Sequence, residues 1–175
     1  MNFKKIKIIG VFIIFALCFP LHFLYDWFPN IISSIFLPVN ESIWEHMKIL
    51  FTATLLYSFI DKIILKKLNV NYNNYCLQLF ISAFISIPIY LIIYLPIYNF
   101  IGENMFVSIF LLLIVYIIMQ YISYKIMQKK ETKIPNYIFS ILIILTYIIF
   151  IYLTYNPPQN YIFYDSENEI YGIER

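Results

Sequence analysis

Five apolar runs, each long enough to cross a bilayer as a helix, divide this chain almost from end to end. They cover approximately residues 6–28, 45–64, 75–99, 105–125 and 135–155. A spanning helix needs about 20 apolar residues, because the backbone must close its own hydrogen bonds across the hydrocarbon. Few other folds accommodate such a pattern. The polar residues left over are too few to clothe a water-soluble globule: 62% of the 175 residues are hydrophobic and 13% are charged, against about 25% charged in a soluble domain. The expected fold is an all-α integral membrane protein. A five-helix bundle would fill residues 1–155, with an external tail or hairpin over 156–175. The partner this implies is the lipid bilayer.

Lysines set the expected orientation. With the N-terminus inside, Lys4, Lys5, Lys7, Lys62, Lys66, Lys67, Lys125, Lys129, Lys130 and Lys133 all fall on the inner side, as the positive-inside rule demands. Only Lys48 and Arg175 fall outside. The predicted topology is N-terminus inside and C-terminus outside, multi-pass, in a cell membrane. No small-residue cleavage site follows the first apolar run, so that run reads as a retained helix. Pro88 and Pro96 would kink the third helix while neighbouring helices satisfy the freed carbonyls. Cys18 and Cys76 fall at different depths, too far apart for the roughly 7 Å Cα separation of a disulfide.

Several function classes drop out. The cations are spread between apolar runs and form no nucleic-acid patch. Three glycines, Gly10, Gly102 and Gly172, cannot build a phosphate-binding loop. No serine-hydrolase signature occurs.

Chemistry concentrates in residues 19–48, FPLHFLYDWFPNIISSIFLPVNESIWEHMK, which hold both histidines and both tryptophans. His22 and Asp26 are one turn apart near the outer end of the first helix, so the carboxylate can orient the imidazole. The second helix opens on Asn40, Glu41, Ser42, Trp44, Glu45, His46 and Lys48. Capping accounts for part of this. Asn40 suits an N-cap, and Ser42 with Glu45 fits a capping box. Trp27 and Trp44 suit an interfacial belt. Capping does not account for His46, or for Glu41, Glu45 and Lys48 recurring at one-turn spacing.

Consecutive antiparallel helices bring these outer ends together. Two imidazoles with carboxylates form a donor set for a divalent metal such as zinc. His22, Asp26 and His46 are the candidate ligands, and Glu41 and Glu45 the candidate catalytic carboxylates. No HExxH-type motif accompanies them.

The runs HFLYDW and PVNESIWEHMK, with a terminal PP…D…YGI, resemble a family of small multi-pass membrane proteins of Gram-positive bacteria whose domain has no assigned function. The resemblance covers nearly the whole chain. It implies a membrane protein of this size, with His22, Asp26, Asn40, Glu41, Trp44, Glu45, His46 and Lys48 at hallmark positions. It implies no reaction. Three readings stay open: metal-dependent hydrolysis at the membrane, non-enzymatic binding, sensing or transport-accessory work, and a cluster that only caps and anchors helices.

Overall fold

The structure, a computed structural model, describes residues 2–173. Glu174 and Arg175, assigned above to the outer tail, lie outside the described residues. The element order is α1 (Phe3–Trp27), α2 (Ile31–Phe36), α3 (Ile43–Lys67), α4 (Tyr75–Ile101), α5 (Met105–Met127), α6 (Asn136–Tyr155), β1 (Tyr164–Asp165) and β2 (Ile170–Tyr171).

Four of these helices, α1, α4, α5 and α6, are long and apolar enough to cross a membrane. Their outward faces carry Phe12, Ile92, Phe110, Ile117, Ile144 and Ile148, each more than half exposed. Such an apolar exterior suits a lipid solvent and would be a liability in water.

The second apolar run of the sequence, 45–64, lies in α3, which differs in kind. It is 25 residues long but carries Glu45, His46, Lys48, Asp61 and Lys62, which keeps it out of the apolar class. The reason is its position. It packs against α1, α2 and α4, and more than half of its residues are buried. Inside the bundle Glu45, Lys48 and Asp61 meet protein, so they persist where partners satisfy them, while Lys62 is exposed.

α1 and α3 pack antiparallel in a single register. Near one end Lys7 Nζ donates to Asp61 Oδ2 at 2.6 Å, and near the other His22 meets His46. Gly10 lets the helices close up, since a Cβ there would overlap the Tyr57 hydroxyl. The core between the ends is filled by Ile14, Met47, Leu50, Phe51, Ala53 and their neighbours. α4 runs unbroken through Pro88 and Pro96. Cys18 and Cys76 are free, and Cys18 is bonded to the Tyr116 hydroxyl inside the core.

Two features were absent from the sequence expectation. A six-residue helix, α2, interrupts the connection between α1 and α3. Asn30 caps it, with Ser33 returning the bond to the Asn30 amide. The tail is also docked. β1 and β2 pair antiparallel with Tyr164 opposite Tyr171, and the strand pair folds back over the segment between α2 and α3.

Candidate metal centre

The N-terminal end of α3 is built by local capping. Ser42 is the N-cap, its hydroxyl accepting the Glu45 amide at 3.3 Å. Asn40 lies two residues earlier. Its Oδ1 accepts the Ser42 amide, and its Nδ2 donates to the Gly172 carbonyl in the tail. The expected return bond of a capping box is not made. Glu45 is used elsewhere: Oε2 accepts from Val39 N and Lys48 Nζ at 3.0 and 2.7 Å, and Oε1 accepts from Thr154 Oγ1 at 2.7 Å. Lys48 gives its remaining protons to the carbonyls of Ser34 and Leu37. Glu45 and Lys48 are 2% and 0% exposed. Together they tie α2, α3 and α6 with every strong donor and acceptor occupied. That is the arrangement a buried ion pair needs to survive.

Glu41 and His46 are freed for other work. The first turn of α3 turns the His46 ring toward α1, where His22 projects one turn below the end of the helix. The His22 Nε2 to His46 Nε2 distance is 3.1 Å. Glu41 Oε2 lies 3.3 Å from the first and 3.5 Å from the second. These three atoms form a compact triangle, and the three side chains are about 30% exposed, at 27, 28 and 31%. The triangle therefore opens on one side.

Metal–nitrogen and metal–oxygen bonds of about 2.0–2.1 Å make the edge of a tetrahedron about 3.3–3.4 Å. The observed edges of 3.1, 3.3 and 3.5 Å match one face of such a tetrahedron. His46 is already oriented for ligation, because its Nδ1 donates to the Ser42 carbonyl at 2.8 Å. When the ring is neutral, that bond leaves the Nε2 lone pair available to an ion, the role that outer hydrogen bonds play for metal-bound histidines. His22 lacks such support, as its Nδ1 is buried with no partner among the described residues.

Of the residues nominated from sequence, the structure brings together His22, Glu41 and His46, the one group of three potential ligands close enough to share an ion among the described residues. Asp26 is exposed and makes no bond to His22. Trp44 is not at a surface belt. Its ring stacks on Phe163 at 5.0 Å and meets Phe150 edge-on, and its amide donates to the Ile162 carbonyl. Trp27, by contrast, is 60% exposed.

The tail supplies what the sequence reading missed. Asp165, fully buried, accepts the Glu41 amide at 3.0 Å on Oδ2. The same carboxylate accepts from Glu167 N, Asn168 N and Asn168 Nδ2. Burial works against its charge, but these donors outweigh burial and hold its carboxyl below the usual carboxylate range. Asp165 thus fixes the hairpin turn and the backbone of Glu41 at once. Gly172 adopts a φ of 67°, and a Cβ there would strike the Thr154 carbonyl and Pro157. Only glycine allows the tail this close approach. From the α4–α5 connection, Glu103 acts electrostatically on His46 and accepts from Ser166 Oγ at 2.9 Å. The Glu41 carboxyl is held well below its ordinary pKa by the two imidazoles beside it, His22 first and His46 second. Glu41 is therefore an anion across the physiological range, as a metal ligand must be.

No curated protein and no solved structure matches the chain. A family does, over residues 1–173, and its description is "Family of unknown function (DUF6512)". Its span takes in the triangle and the tail that supports it, and the chain belongs to that family.

Proposed function

We propose that this is a five-span membrane protein that holds a divalent transition metal, zinc by preference, on His22, Glu41 and His46 near its outer face. The observation that carries the reading is the triangle of ligand atoms with tetrahedral edge lengths. The crossing number takes α3 as an interior span beside the four apolar helices. The orientation rests on the lysines gathered at the opposite end from the triangle. Two histidines and a carboxylate are the ligand set of many catalytic zinc sites, which keep a fourth position for water.

The chemistry we attach to the site is hydrolysis of an ester or amide at the membrane surface. A bound ion would supply a water acidic enough to attack near neutral pH. The proton of that water would leave to solvent at the partly exposed triangle, because both Glu45 oxygens are already occupied. Metal-dependent binding or sensing without turnover is the second reading, favoured by the docked tail that couples Glu41 to an external hairpin.

Metal content decides the first point. The full chain, purified in mild detergent, is dialysed against zinc and counted by mass spectrometry, then reloaded with cobalt. One ion per chain and the intense visible bands of tetrahedral cobalt are expected. Loss of both in His22→Ala and His46→Ala completes the case. A folded chain with no more metal than either variant overturns it.

A further inference from the structure

A second site lies at the lysine-rich end of the bundle. A groove of about 620 Å³ runs between α1 and α5, within the 300–1,000 Å³ typical of ligand clefts. Its α1 wall is made by Lys4, Lys7, Ile8, Val11 and Phe12, residues that share one helical face. Its α5 wall includes Ile117 and Gln120, with Lys125 at its end. Phe12 and Ile117 are 61% and 53% exposed, so the apolar floor opens sideways, where the hydrocarbon would be. Lys4 and Lys125 are exposed at the mouth, while Lys7 is committed to Asp61. No acidic side chain lines the groove.

One polar group lies deep in this wall without explanation. Gln120 is 4% exposed, and its Oε1 is buried with no partner among the described residues. Five residues separate it from Lys125, about 7.5 Å along the helix. A buried amide without a partner is costly and calls for an occupant.

We propose that this groove binds one anionic phospholipid, its phosphate between Lys4 and Lys125, its glycerol backbone at Gln120 and one acyl chain along Phe12 and Ile117. The vertical order of the wall matches the order of groups in such a lipid: charge, then polar ester and hydroxyl groups, then hydrocarbon. The Gln120 side chain serves either way up, donating to an ester carbonyl or accepting from a headgroup hydroxyl. Lysines facing an anionic leaflet favour such lipids, and basic pockets between helices hold their headgroups. The site is independent of the histidine triangle and rests only on the bilayer reading above.

The full chain, stripped of lipid in detergent, is titrated with dioleoylphosphatidylglycerol or dioleoylphosphatidylcholine and read by native mass spectrometry. The first phosphatidylglycerol adduct should form with a roughly 30-fold preference, the weight of two lysines at an anionic surface. Lys4→Gln with Lys125→Gln should erase that preference, and Gln120→Leu should weaken the adduct while leaving the fold intact. Lys66→Gln with Lys67→Gln, at the same end of the bundle but off the groove, should change nothing. Equal binding of both lipids, or an equal loss in the Lys66 and Lys67 control, overturns the proposal. Recovery of the chain in the membrane fraction tests the bilayer reading separately.

Discussion

His22 and His46 face each other through their Nε2 atoms at 3.1 Å, in the same antiparallel register that pairs Lys7 with Asp61. Fifteen residues separate the two pairs on each helix, about 22 Å along the bundle. One helix–helix contact thus carries a polar pair at either end, with apolar packing between. Two cationic imidazoles cannot share so short a contact. In the metal-free protein at most one ring carries the charge, while His46 Nδ1 donates to the Ser42 carbonyl.

Protons and metal therefore compete for the two rings. Each imidazole must be neutral to ligate, so affinity should fall in acid as the pair of rings takes up a proton. Glu41 should not contribute there, since its pKa is held well below the ordinary range. Its own effect on stability has the sign of a depressed acid: present above the usual carboxylate pKa, lost as pH falls through the lower folded value. Melting curves of wild type and Glu41→Gln should differ at pH 7 and converge only in strong acid. A chelator-competition titration against pH measures the fall, and a flat profile would remove the imidazoles from the site.

Asp165 should behave as a positioning residue for Glu41. Asp165→Ala removes the acceptor of the Glu41 amide and undoes the hairpin turn. The metal dissociation constant should rise about 10–100-fold, the usual effect of losing an outer-shell partner. Gly172→Ala should reproduce this through a different contact, by forcing the tail off Thr154 and Pro157. Trp44 fluorescence reports the undocking, since its ring stacks on Phe163. Undocking without any change in affinity would make the tail structural only.

The apolar helices were legible because hydrophobic length is a local property, and the triangle was partly legible because adjacent helices had to pack. His22 and His46 followed from that packing alone. Asp26 was nominated for its one-turn spacing, yet spacing fixes a shared face and not the direction of that face, and the side chain points to solvent. Glu41 and Glu45 look alike in sequence, four residues apart on an acidic helix start. Their fates diverge because Lys48 and Thr154 claim Glu45, and Thr154 is 109 residues away. The docked tail was hidden for the same reason. Asp165 meets Glu41 across 124 residues, a distance that no helical or strand period reports.

Glu45 should prove to be structural. Glu45→Ala leaves Lys48 buried beside two carbonyls with no counter-charge. Breaking a buried pair by removing one partner costs about 3–5 kcal/mol, so the melting temperature should drop sharply. Glu45→Ala/Lys48→Met should recover much of that loss. In either variant that folds, metal stoichiometry should remain at one ion per chain. Loss of metal in the stabilised double variant would return Glu45 to the site.

The Lys7–Asp61 pair gives the same test at the other end, where no metal is involved. Both side chains are almost fully buried, at 4% and 1%, and Tyr57 donates a further bond to Asp61 Oδ1 at 3.2 Å. Asp61→Asn keeps the shape but strands the lysine, whose ammonium then has neither counter-ion nor water. A loss of about 3–5 kcal/mol is expected, against a much smaller change for Lys7→Met/Asp61→Leu, which removes both charges together. Steady thermal melts in one detergent measure the difference. Metal binding at the triangle, about 22 Å away along the helices, should be unchanged in the double variant, because the two pairs share a register but no partner. A matched loss of metal would show that the register itself, and not the local geometry of either end, sets the histidine contact.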